Sequence, residues 1–151
     1  DAWLAHYSDL VATGYCSPAI PNSTGQPGVL AAAGNNVVPD NNLTVIASQL
    51  PANAFGFFLT SQVQGLTAQP GGSQGSLCLG GEIGRYVGPG QIRNSGATGS
   101  FLLTLDLQNM PTPTGLVVVQ AGETWNFQAW HRDANPTLTS NFTDAVSVTF
   151  N

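Results

Sequence analysis

The chain has 151 residues, enough for one domain with a closed hydrophobic core. Charged residues make up 7% of it, against roughly 25% in an average soluble domain, and the net charge is −5 with three basic residues, all arginine. That balance excludes the basic footprint of nucleic-acid binding, and no apolar run approaches the ~20 residues of a membrane-spanning helix.

In chain order, the opening "DAWLAHYSDLVATG" differs from everything after it. Trp3, Leu4, Tyr7, Leu10 and Val11 fall at helical spacing, with Asp1 near the start and Gly14 near the end. Residues 1–14 are therefore read as a short amphipathic helix or arm, and residues 15–151 as the domain proper. So short a helix is marginal alone, so its apolar stripe needs a partner surface, on its own domain or on a neighbouring subunit. Those five apolar residues are the candidate assembly contact.

From Cys16 to Gly34, Pro and Gly recur too often for a long regular element. Strand candidates follow: "NLTVIASQL", "AFGFFLTSQV", "LCLGG", "IGRYV", "SFLLTLDL", "GLVVVQA", "TWNFQAW" and "AVSVTFN". "GLTAQPGGSQGS" and "GPGQIRNSGATG" are read as loops between them. Short strands with such turn chemistry predict an all-β antiparallel sandwich, immunoglobulin-like or jelly-roll-like. In "SFLLTLDL", Phe101, Leu103, Leu105 and Leu107 share the expected core face, with Ser100, Leu102, Thr104 and Asp106 on the wet face.

The run "TWNFQAWHRD" carries the most chemistry. Alternation places Trp125, Phe127, Ala129 and His131 toward the core, and Asn126, Gln128, Trp130 and Arg132 on the opposite face. Gln128, Trp130 and Arg132 are the candidate ligand-binding residues, since sugars stack on exposed rings and bond to amides and guanidinium groups. The competing reading is a Trp130 covered by a neighbouring strand or loop, with Arg132 stacked on it. His131-Arg132-Asp133 is expected where the strand emerges into a loop, Asp133 pairing with Arg132 or capping the turn before Asn135-Pro136.

No reaction can be assembled from these residues. A nucleophile needs an oriented histidine, and the histidines are His6, in the N-terminal segment, and His131. Glu82 and Glu123 each lie in a turn-like context, with nothing to bring them together as a glycosidase pair. Zinc lacks ligands. Calcium has two candidate clusters, Asp40-Asn41-Asn42 and Asp133 with Asp144, and both read more simply as turn residues. The expectation is a non-enzyme with no cofactor and no metal.

Cys16 and Cys78 form an even pair, as one disulfide or as two buried thiols. A bond would close a loop of about 60 residues and stabilise by roughly 4 kcal/mol. Its spacing does not match the inter-sheet bond of antibody domains. Asn22, Asn42 and Asn141 head glycosylation sequons.

The blocks "YCSPAIPNSTGQPGVLAAAG", "DNNLTVIASQLPANAFGFFLTS", "GSQGSLCLGGEIGRYVGPGQIRNSGATGSF" and "PTPTGLVVVQAGETWNFQAWHRD" with "SNFTDAVSVTF" resemble a repeated β-domain of large secreted proteins from planctomycetes and other environmental bacteria. The resemblance spans roughly residues 15 to 151. It implies an exported, non-catalytic β-domain with Cys16 and Cys78 at the family's cysteine positions, and it brings no catalytic residues. A first residue of Asp rather than Met fits a processed, exported chain. The resulting expectation is an extracellular or cell-surface structural or adhesive subunit that self-associates or binds neighbouring surface proteins, in filaments or arrays. The alternatives are a carbohydrate-binding module with a polysaccharide partner, and an inert sorting or anchoring domain.

Overall fold

Alternation of apolar and polar residues sets the strands. In the computed structural model, which describes residues 11–151, the chain forms thirteen: β1 (Thr13–Tyr15), β2 (Val29–Gly34), β3 (Leu43–Ser48), β4 (Phe55–Ser61), β5 (Val63–Ala68), β6 (Ser76–Gly80), β7 (Gly84–Arg85), β8 (Arg93–Asn94), β9 (Phe101–Thr104), β10 (Met110–Thr112), β11 (Gly115–Val117), β12 (Thr124–Ala134) and β13 (Leu138–Thr149). All pairings are antiparallel. The main sheet runs β1-β13-β12-β4-β7, with β8 pairing the remainder of the β4 edge, and a second sheet runs β2-β3-β9.

The two sheets face each other across one core. Leu30, Ala32, Leu43, Val45, Ala47 and Phe101 from the smaller sheet meet Phe58, Trp125, Phe127, Ala129, Val146 and Val148 from the larger. Each large apolar side chain buried this way contributes about 1.5–3 kcal/mol. Phe58 and Phe101 meet edge to face at 5.2 Å between centroids and tie the layers together. This is the expected all-β sandwich. The faces expected for "SFLLTLDL" also hold, with Phe101, Leu105 and Leu107 buried, Leu103 half-buried and Leu102, Thr104 and Asp106 exposed.

Several elements differ from their sequence reading. The stretch read as a loop at 65–76 supplies most of β5, which forms a hairpin with β6. Val63, Gln64, Leu66, Thr67 and Ala68 are all exposed, so β5 has no buried face and no alternation to reveal it. The loop "GPGQIRNSGATG" contains the short β8. Only Gly115–Val117 of "GLVVVQA" is strand, paired with β10, because Val119 alone of its valines reaches the core. β12 and β13 run on past the expected loop: Arg132 pairs with Ser140, and Asn135 closes the turn by donating to the Thr137 carbonyl at 2.9 Å. His131-Arg132-Asp133 is therefore strand.

The expected N-terminal helix or arm, with Trp3, Leu4, Tyr7 and Leu10, lies outside the described residues. Val11 is buried against the core, and Thr13 and Gly14, read as the end of the arm, are already strand, paired with Ser147 and Val146.

Candidate functional site

The outer face of the main sheet carries a second, smaller apolar cluster. Leu59, Leu79 and Phe142 are buried there, with Phe57, Leu77, Ile83 and Trp130 packed around them. The β5–β6 hairpin covers part of this face. A disulfide joins Cys16, just after β1, to Cys78 in β6, with Cα atoms 6.4 Å apart. The bond thus fastens the covering hairpin to the sheet rather than linking the two sandwich layers.

A bulge shapes the site. The β12–β13 register shifts between Gln128 and Trp130, so that Trp130 faces Phe142. Thr143 repairs the interrupted ladder: its hydroxyl accepts from the Ala129 N–H at 3.0 Å and donates to the Asp144 carbonyl at 2.7 Å.

Gln128 faces outward from β12 but does not belong to a ligand surface. It is fully buried beneath β6. Its carbonyl oxygen accepts from the Cys78 N–H at 2.8 Å, and its amide nitrogen donates to the carbonyls of Ser76 at 2.9 Å and Thr143 at 2.7 Å. Gln128 is thus not exposed, contrary to expectation: β6, expected as the strand "LCLGG", lies over it in a hairpin whose other strand reads as a loop in the sequence.

Trp130 is half-buried. Phe57 packs on it at 5.1 Å between centroids with planes tilted by 32°, and the Arg132 guanidinium carbon lies 5.1 Å from its ring centre. This is the arrangement of the competing reading, with part of the indole left in contact with solvent. Two open depressions of about 390 Å³ each meet at Trp130. One is floored by Phe57, Leu59, Leu77 and Phe142 and reaches Arg85; the other reaches Arg132, Thr139 and Ser140. Arg85 was missed in the sequence, although its position in "IGRYV", opposite Leu59 on β4, puts it on this face.

His131 points the other way and is fully enclosed. Its Nδ1 is 2.8 Å from the Arg132 carbonyl, which assigns the proton to that nitrogen, and its Nε2 has no partner. Burial holds the imidazole below its usual pKa, against smaller raising effects of the Arg132 carbonyl and Asp133. Asp133 neither pairs with Arg132 nor caps the expected turn. Its carboxylate accepts from the Ser23 N–H at 3.1 and 3.3 Å and from the Ala134 N–H at 2.9 Å, fastening the loop after β1.

The remaining candidates are structural where the structure describes them. Asp144 accepts from the Leu30 N–H at 2.7 Å, and burial raises its carboxyl above the usual range. Asp40 accepts from Asn35 at 3.1 Å, while Asn41 donates to Asp106 at 3.1 Å and accepts from the Leu107 N–H at 2.7 Å. Among the described residues no group of three His, Cys, Asp or Glu side chains is placed to hold a metal. Of the sequon asparagines, Asn42 is exposed. Asn22 is buried, donating to the Gln49 carbonyl at 2.8 Å, and Asn141 is buried, donating to the Ile20 carbonyl at 3.1 Å.

A third surface feature lies beside β9, which among the described residues pairs with β3 alone. Ile46, Phe55, Ile92 and Leu102 surround an open depression of about 430 Å³, with Arg93 the one charged residue in its lining. No protein-family model, curated protein or solved structure matches the chain significantly.

Proposed function

We propose that the chain is an extracellular, non-catalytic domain that acts as a structural or adhesive subunit, making its contacts through weakly charged apolar surface. The observation carrying this reading is the β9 edge, where Phe55, Ile92 and Leu102 are 57%, 52% and 46% exposed around one depression. A clustered apolar surface of this kind marks an interaction site more often than scattered exposed leucines do. The β9 edge also lacks the lysine, proline or bulge with which monomeric proteins guard a free strand. A disulfide and a near-absence of charge suit an oxidising extracellular setting. The resemblance to repeated domains of secreted bacterial proteins points the same way.

The second half of the contact is the N-terminal segment, with Trp3, Leu4, Tyr7 and Leu10; Val11 is committed to its own core. Unlike surfaces joined head to tail give open filaments when the rotation does not close. The test is light scattering and electron microscopy of the full chain, of a chain lacking residues 1–10, and of Phe55→Ser with Leu102→Ser. Assembly of the full chain and monomers of both variants are expected. A full chain that stays monomeric at high concentration, or variants that assemble unchanged, would refute the proposal.

A second reading, a carbohydrate-binding surface, is favoured by one specific feature. Trp130 keeps part of its indole open between two depressions whose linings contain arginine and no acidic side chain.

A further inference from the structure

We infer that the Trp130 surface takes an extended acidic polysaccharide, its acid groups held by Arg85 at one end and Arg132 at the other. The inference rests on the carbohydrate reading of that surface and adds the ligand's charge and length.

Charge comes first. The chain carries a net charge of −5 and only three basic residues, yet two of them line the paired depressions around Trp130. The linings contain no aspartate or glutamate. Two of the three positive charges of an acidic protein thus lie on one open face, where they locally offset the negative field that would otherwise repel an anionic ligand.

The register then gives the length. Arg85 lies opposite Leu59, and Leu59 lies opposite Gln128, so Arg132 is four residues further along and two strands across. With about 3.4 Å per residue and about 4.8 Å per strand, the two backbones are roughly 17 Å apart. The Arg132 guanidinium is laid back over Trp130. An oligomer laid across this span engages both arginines and the apolar surface around Trp130, whereas a monosaccharide covers only part of it.

Donor geometry completes the argument. The Arg132 guanidinium carbon lies 5.1 Å from the indole centre, and a guanidinium carries the paired N–H donors that suit two-point bonding to a carboxylate or sulfate. Around and between the arginines lie an indole and the apolar side chains of Phe57, Leu59, Leu77 and Phe142, suited to the C–H faces of sugars, with Thr139 and Ser140 beside Arg132 on its far side for hydroxyls. An acidic peptide is less well served. Extended peptides gain affinity by adding to a free strand edge, and this surface is the face of a sheet.

The test uses the full chain, titrated by calorimetry with oligomers of galacturonate, of mannuronate and of sulfated galactose. Neutral cello-oligosaccharides and poly-glutamate serve as comparisons. Binding of at least one acidic oligomer is expected, weakened by salt, at least tenfold tighter than the neutral oligomer or poly-glutamate, and undetectable for the acidic monosaccharide. Arg85→Gln and Arg132→Gln, both at exposed positions, should each weaken it fivefold or more with the fold intact by circular dichroism. Equal binding of neutral oligomers, indifferent to both substitutions, overturns the inference and leaves the carbohydrate reading standing. Equal binding of poly-glutamate overturns the sugar component. No binding by any oligosaccharide overturns both.

Discussion

Gln128→Leu is the sharpest test of how the outer face is built. The substitution keeps the side-chain volume roughly constant and removes three hydrogen bonds, at 2.8, 2.9 and 2.7 Å, from a fully buried amide. Each neutral bond is worth about 1 kcal/mol net, and leaving the Cys78 N–H buried without a partner adds about 1–3 kcal/mol. Apolar burial of the leucine methyls returns part of this, so a loss of about 3 kcal/mol is expected. For a chain of this size that corresponds to a fall of about 6–12 °C in Tm. Urea unfolding supplies the free energy, and hydrogen exchange at the Cys78 amide locates it, because the hairpin should open more readily than the sandwich. A residue kept for ligand binding would behave otherwise, its removal leaving stability unchanged or improved. A change within about 0.5 kcal/mol, with Cys78 exchange unaltered, would refute the latch reasoning.

Replacing Cys16 and Cys78 together by Ser opens a loop whose ends are 62 residues apart and should cost about 4 kcal/mol in denaturant unfolding; a loss under about 1 kcal/mol would contradict it. Stability should fall as pH drops below about 6.5, because His131, held below its usual pKa by burial, is neutral in the fold and takes up its proton in the unfolded chain first. Asp144, raised by burial, acts in the opposite sense at lower pH, so the slope belongs to the window between about pH 6.5 and 5. Urea midpoints across that window should lose the slope in His131→Asn, and a slope that persists would assign it elsewhere. Asn42→Gln should change stability by less than about 0.5 kcal/mol, while Asn22→Ala and Asn141→Ala should each cost about 1–3 kcal/mol, measured by thermal melts.

What could be read in the sequence was whatever had one wet face and one dry face. The inward residues of "SFLLTLDL" and of the first half of "TWNFQAWHRD" are spaced by two, and the structure buries them accordingly. Legibility failed where both faces are alike. β5 is exposed on both sides and carries the pattern of a loop, so although "LCLGG" marks β6 as a strand, nothing in the sequence shows the hairpin that lays it over Gln128. Most of the differences on the outer face follow from that one pairing. The end of β12 was legible only in part: alternation puts His131 toward the core, where it is buried, but Asp133 is also polar and buried, and only its partners Ser23 N and Ala134 N explain why. Such partners lie on the chain neighbour or far along the sequence, and periodicity carries no trace of them.

The division of labour among charges links fold and surface. Five of the six acidic residues between positions 11 and 151 accept hydrogen bonds that hold turns or loops: Asp40 from Asn35, Asp106 from Gln108, Glu123 from Gln120, Asp133 from Ser23 and Asp144 from Leu30. Asp106 shows the consequence, its carboxyl held below the usual range first by Asn109 and then by Gln108 and Asn41. A carboxylate whose lone pairs are filled by N–H groups stiffens a loop in a chain short of helices, and it has less capacity left for a ligand. Arg85 and Arg132 are placed differently, at exposed positions on strands whose ladders need no side-chain help. Five of these six acids therefore serve folding, whereas Arg85 and Arg132 stay open to solvent. On that reasoning, removing Arg132 should cost the sandwich little beyond its contact with Trp130, and its main effect should be on whatever the outer face binds.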